Sequence, residues 1–221
     1  MLAYELSTGT QFLISHAATS ATTSANEKTG NVTLSADGQY VLFTAANAAR
    51  FGNAGSAFTD SAALNDDVLA MRLSDKKLML LTATAENGSQ SFGAATTLVG
   101  VSSDKPYAFM STAVLSTMQA TNGQNFVDSD ATTSDLLAVN LVTGTRTIMG
   151  HAAGSTNTAS NADVKFLMAR GDFVYFTAKD ATRLGFTDMD IGKSDVFRQN
   201  LLTGEAVSYT HLRAHETSLH L

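Results

Sequence analysis

The stretch FTDMDIGKSD, Phe186 to Asp195, places carboxylates at Asp188, Asp190 and Asp195 within ten residues. That spacing suits a hard cation, which takes about six to eight oxygen ligands at roughly 2.3–2.6 Å. Gly192 permits a sharp turn there. The set recurs as Asp128, Asp130 and Asp135 in FVDSDATTSD, and in reduced form as Asp60 and Asp67 in FTDSAALNDD, where Ala62 takes the middle place. Two readings are open. In one, calcium is held by the carboxylates, with backbone carbonyls and water completing the shell. In the other, each Asp caps a turn by accepting backbone N–H groups. The last Asp of each loop, immediately before an apolar run, suits the second reading. The spacing is not that of an EF-hand, because no Glu stands at the twelfth position.

Other residues with chemical potential have competing explanations. His16 and His151 lie in matching contexts, STGTQFLISHAA and VTGTRTIMGHAA. A recurring histidine points to a hydrogen bond between strands or blades, since a catalytic residue need occur only once. Arg170-Gly171-Asp172 matches an adhesion tripeptide, but it fills the same inter-strand turn as ADG at Ala36–Gly38. His211 and His215 have the i, i+4 spacing of a helical zinc pair. They fall in VSYTHLRAHET, which resembles one translated frame of a common sequencing adaptor. The expectation is a non-native tail over 207–221 and no zinc site. No nucleophile elbow, HExxH or phosphate-binding glycine loop occurs. No catalytic centre is expected within this chain.

The acidic loops belong to a larger repeat, the feature to seek first in any sequence. Each loop is followed by an apolar run: VLAMRLSDKK, LLAVNLVTGT and VFRQNLLTGE, with LAYELSTGT as a fourth copy. Leu6, Leu73, Leu141 and Leu201 recur at intervals of 67, 68 and 60 residues. Between the loops, SADGQYVLFTA, SSDKPYAFMST and ARGDFVYFTA also correspond. Runs such as YVLF and FVYF fit strands buried on both faces. Gly9, Gly144 and Gly204 suit tight hairpin turns. Tyr40, Phe43, Tyr107, Phe109, Phe173, Tyr175 and Phe176 are expected in the core. Each unit offers four strands: one before ADG, one after it, one after the acidic loop and one after TG.

The remaining composition narrows the class. The 221 residues are 44% hydrophobic and 15% charged, with a net charge of −6. That length can bury a sizeable core. The negative charge disfavours a nucleic-acid partner. No apolar run approaches the ~20 residues of a membrane span, so no membrane insertion is expected. Cysteine is absent, which excludes disulfides and cysteine chemistry.

The order SADGQYVLFTA, acidic loop, then SDVFRQNLLTG (Ser194 to Gly204) resembles the TolB-like or WD-like bacterial β-propeller repeats. The resemblance runs to Ala206 and recurs three times. It implies an all-β fold: a partial β-propeller of four-stranded antiparallel blades, two full and two partial, over residues 1–206. Departures occur at Asp104-Lys105-Pro106, at Ser74-Asp75-Lys76, and at Ala83, where the other copies have histidine. Closure of a propeller needs at least four blades, so further blades of the same chain are expected before Met1 and after the tail. The functional expectation is a non-enzymatic binding or structural module, calcium-stabilised, within a larger extracellular, cell-surface or periplasmic bacterial protein. Its partner would be a protein or carbohydrate. The alternatives are an accessory propeller of a peptidase-like hydrolase whose catalytic domain lies elsewhere, and a passive stalk in a large adhesin.

Overall fold

A computed structural model describes residues 1–120, 123–189 and 192–210. The chain opens with a hairpin of β1 (Leu2–Glu5) and β2 (Thr10–Leu13), followed by the small hairpin of β3 (His16–Ala17) and β4 (Ser20–Ser24). The first sheet holds β5 (Thr29–Leu34) and β6 (Tyr40–Ala45). After a short hairpin of β7 (Gly52–Asn53) and β8 (Ser56–Ala57), it is completed by β9 (Asp67–Arg72) and β10 (Lys77–Leu80). The second sheet comprises β11 (Thr96–Val101), β12 (Tyr107–Thr112), β13 (Asp135–Asn140) and β14 (Arg146–Met149). The third comprises β15 (Lys165–Arg170), β16 (Phe173–Lys179), β17 (Ser194–Asn200) and β18 (Ala206–Ser208). Each is an antiparallel meander in which sequence neighbours pair, and no sheet closes on itself among the described residues.

The expected strand order within a unit is therefore observed, but the count differs. Among the described residues, three sheets have four strands and the leading unit has two, rather than two complete and two partial. The difference arises at the C-terminal side. Val207 and Ser208 pair with Arg198 and Phe197, completing the third sheet across the expected boundary at residue 206. Residues 211–221 of the tail, including His211 and His215, lie outside the described residues.

Local chemistry explains the turns. Between the third and fourth strands, Asn140 Oδ1 accepts from the N–H groups of Val142 and Thr143, and Asn200 Oδ1 accepts from those of Leu202 and Thr203. Gly144 and Gly204 then take φ of 81° and 75°. That left-handed conformation favours glycine. In the first sheet Lys76 holds the same place at φ 58°, and Asp75 accepts two hydrogen bonds from Arg72 across the turn. The Arg-Gly-Asp segment is also a turn, between β15 and β16. The Gly171 N–H donates to Asp104 in the matching turn of the second sheet, at 2.8 Å to Oδ1.

Three apolar clusters lie between successive units. Phe12 and Ala3 of the leading hairpin pack towards Val41, Phe43, Leu69 and Met71 of the first sheet. The opposite face of that sheet, with Leu42, Val68 and Ala70, meets Ala108, Met110, Leu137 and Val139 of the second. The second sheet's other face offers Phe109, Leu136 and Ala138 to Val174, Phe176 and Phe197 of the third. Strands β6, β9, β12 and β13 are thus covered on both sides, which is why their sequences are apolar without alternation. The first strands run close together. The tightest point is Gly100 on β11, where a Cβ would lie 2.4 Å from the Phe166 ring on β15. Of the seven expected core aromatics, Tyr40, Phe43, Phe109 and Phe176 are buried, whereas Tyr107, Phe173 and Tyr175 are half-buried. Phe173 and Tyr175 lie on the outer face of the third sheet.

The stacking makes a graded prediction. Phe109 is fully buried and stacks on Phe166 with ring centroids 4.7 Å apart. Phe109→Ala is expected to cost about 3–5 kcal/mol. Tyr175→Ala, on the outer face, should cost less than half of that in the same urea titration.

Candidate functional site

The three acidic loops occupy equivalent places, each joining the second strand of a sheet to the third. The first Asp of each loop ties it back to the exit of the second strand. Asp60 Oδ2 accepts from the Ala48 N–H at 3.0 Å, at the start of the short 3₁₀ turn Ala48–Arg50. Asp128 Oδ2 accepts from Leu115 at 2.9 Å, and Asp188 Oδ2 from Ala181 at 3.1 Å. The other oxygens of Asp60 and Asp128 close local turns by accepting from Ala62 and Asp130. Asp130 takes both the N–H and the hydroxyl of Thr132, which holds its carboxyl below the usual range. Asp190 lies outside the described residues.

The last Asp of each loop is buried; Asp67 and Asp135 are the first residues of the third strand, and Asp195 is the second. Asp67 Oδ1 accepts from the hydroxyls of Thr82 at 2.6 Å and Ser91 at 2.7 Å. Burial pushes this carboxyl up to about 6. The two hydroxyls pull it partly back, while Asp60 and Asp66 push it further up. Asp195 repeats half of this arrangement, with its Oδ1 accepting from Thr210 at 2.6 Å. Asp135 has neither hydroxyl, because Gly150 and Ala159 stand where Thr82 and Ser91 do. Burial, and then the charges of Asp128 and Asp130, push its carboxyl up to about 7. In all three, Oδ2 is buried without a hydrogen-bond partner among the described residues. Among the described residues, no group of three or more His, Asp or Glu side chains converges in metal-ligand geometry.

A second set of polar side chains connects neighbouring units. His16, after the leading hairpin, sets its Nε2 3.4 Å from the Lys76 carbonyl oxygen in the outer turn of the first sheet. His151, after the second sheet, sets its Nε2 3.1 Å from the Gly204 carbonyl oxygen in the corresponding turn of the third. Both Nδ1 atoms face the carbonyl of the following residue. Ala83 replaces the histidine between the first and second sheets. There Asn87 Nδ2 donates to the Thr143 carbonyl at 3.1 Å and makes the equivalent link.

Three further polar residues in the inter-sheet spaces were not singled out from sequence. Fully buried Gln199 accepts from the Gly150 N–H at 2.7 Å and donates to the Ile148 carbonyl. The buried guanidinium of Arg146 donates to the carbonyls of Ala83 and Leu81, and burial pulls its pKa down to about 10. Asn53 pairs with both the N–H and the C=O of Leu78. Arg146, Asn53 and Asn87 line a cleft of about 190 Å³ between the first and second sheets. Aligning the repeats position by position would have exposed two of these residues. Gln199 stands where the other units have Tyr4, Met71 and Val139, and Arg146 where they have Gln11, Leu78 and Ala206.

This architecture defines an all-β repeat protein of face-to-face four-stranded sheets, with one acidic loop per complete sheet. No protein-family model matches the sequence, and a search among curated proteins finds no match. Among solved structures, the chain is similar to the crystal structure of the tricorn protease, at 11% sequence identity and a TM-score of 0.41. The match covers 94% of this chain and 20% of that one, so the chain spans about a fifth of the protein it matches.

The environment of Asp67 fixes the sign of a pH effect. Its folded-state carboxyl is raised from 3.8 to about 6. Its stabilising contribution is therefore complete below the unfolded value and is lost as pH rises through about 6. Across that window wild type should lose on the order of 1–3 kcal/mol relative to Asp67→Asn. The check is the difference between their urea-unfolding free energies, measured from about pH 4 to pH 8.

Proposed function

We propose that this chain is a segment of a β-propeller serving as a non-enzymatic binding or structural module of a larger bacterial protein. One observation carries this reading: each complete sheet is a four-stranded meander that buries one face against the unit before it and offers the other to the unit after it. That is how propeller blades are assembled. The third sheet has such a following face, bearing half-buried Phe173 and Tyr175, so the stacking pattern calls for a further unit. The acidic loops, pinned by backbone hydrogen bonds, are rigid supports from which the longer Ala/Ser/Thr/Asn-rich connections project. Connections held on a rigid scaffold are the segments that most often carry recognition. An exported or cell-surface setting, with a protein or carbohydrate as partner, belongs to the same proposal.

Electron microscopy of the protein that carries this sequence tests it. A ring of radially arranged sheets around a central channel is the expected view. An extended rod of stacked sheets would replace this reading with that of a solenoid or stalk.

A further inference from the structure

The second acidic loop differs from the first in one consistent direction. Strands and bridges align the two units residue by residue: Thr59 pairs with Gln90 as Val127 pairs with Thr158, and the Thr96 N–H donates to Asp66 as the Val164 N–H does to Ser134. Within that frame, the second unit has lost donors. Gly150 and Ala159 replace the two hydroxyl residues that serve Asp67. Thr133 replaces Asn65, whose amide donates to the Gly93 carbonyl at 2.7 Å.

The same unit has gained oxygens. Ser160 replaces the buried ring of Phe92, Asn161 replaces Gly93, and Asp130 replaces Ala62. Six buried side-chain oxygens lack a hydrogen-bond partner among the described residues, and four of them fall here: Thr133 Oγ1, Asp135 Oδ2, Ser160 Oγ and Asn161 Oδ1. The first and third sheets have one each, on Asp67 and Asp195. The two segments that carry the four are bound to each other. Asn161 Nδ2 donates to Ser129 Oγ at 2.8 Å, and the Val164 N–H donates to the Ser134 carbonyl at 2.7 Å. Asp135 is 1% exposed and Ser160 5%.

A buried carboxylate oxygen without a donor is costly. Three neutral oxygens, equally without donors, lie on the two segments that these hydrogen bonds hold together, and with Asp135 they call for a positive charge. The nearby basic side chains have other partners: Lys165 and Lys179 reach Asp163, and Arg183 reaches Asp180 and the Asn161 carbonyl. We propose that this loop holds a single calcium-like hard divalent cation, with Asp135 as its charged ligand and Thr133, Ser160 and Asn161 supplying neutral oxygens. Calcium fits a mixed carboxylate, hydroxyl and amide set better than magnesium, which demands stricter geometry and keeps its waters. The proposal does not rest on the propeller reading; a stalk or a solenoid could hold the same ion.

The test is calorimetric titration of calcium chloride into the full chain after chelation, with thermal unfolding alongside, for wild type, Asp135→Asn and Thr133→Val. Wild type should bind one calcium per chain and melt higher with it. Asp135→Asn should weaken binding at least about tenfold. Thr133→Val should also weaken it while being no less stable than wild type in chelator, because a partnerless hydroxyl is easily replaced. Three outcomes would each overturn the proposal. One is absence of heat and melting shift at millimolar calcium. Another is binding that survives Asp135→Asn unchanged. The third is wild-type calcium affinity in a folded Thr133→Val.

Discussion

The interaction on which the rest depends is burial of the central strands on both faces. A sheet with one apolar face and one wet face can stand at the surface, but the first and second sheets here cannot. Leu42 and Phe43 are adjacent in β6, point to opposite sides, and are each 0% exposed. A second sheet is required to cover one of them and a third unit to cover the other. Repetition follows from the strand sequence itself. At about 25 cal/mol per Å² of apolar surface removed from water, the stacked faces supply the main drive for folding. Any two-faced sheet left at an end has an uncovered side.

Stacking creates a secondary problem. Outer strands and loop ends are brought against a neighbouring apolar face, where their backbone groups lose water. The spaces on either side of the second sheet answer with long polar side chains that are not alike. Gln199 serves Ile148 and Gly150, Arg146 serves Leu81 and Ala83, and Asn53 serves both polar groups of Leu78. Histidine or asparagine then binds each outer turn to the loop of the unit before it. These contacts add little net drive, since a hydrogen bond contributes only about 0.5–1.5 kcal/mol. Their absence would leave buried backbone groups without partners, which costs more. They also fix how one sheet is oriented on the next, which apolar contact alone leaves loose.

Much of this was legible in the sequence because the signals were local and repeated. Gly144 and Gly204 marked turns that the structure shows with positive φ. YVLF and FVYF marked strands, and the acidic loops lie at equivalent positions in their sheets. Recurrence of histidine suggested a link between units, and His16 and His151 make one. The count of complete sheets was less legible, because the last strand runs into residues that resemble a foreign sequence. Gln199, Arg146 and Asn53 were missed for another reason. Each works at a distance of 25 to 65 residues along the chain and occurs in only one unit, so no local pattern marks it. Asp135 shows the limit most clearly. Its own loop looks much like the others, and its environment differs through Gly150, Ala159 and Ser160, which only the fold brings alongside.

Comparing equivalent positions therefore separates scaffold from specialisation. On the third strand, one position facing the following unit is Ala3 in the leading hairpin, Ala70 in the first sheet and Ala138 in the second. Ala70 and Ala138 are buried, and their small side chains let the next sheet approach. In the third sheet the same position is Arg198, opposite Tyr175. Its guanidinium lies over the Phe173 ring, 4.4 Å from the centroid, and 5.8 Å from that of Tyr209. A sheet stacked as closely as the earlier ones would collide with this side chain. A unit placed on the third sheet would have to leave room for a cation framed by aromatic rings or offer it a partner. The repeat thus alters its own stacking surface at the end of the described sheets, and does so by one residue in an otherwise conserved position of the fold.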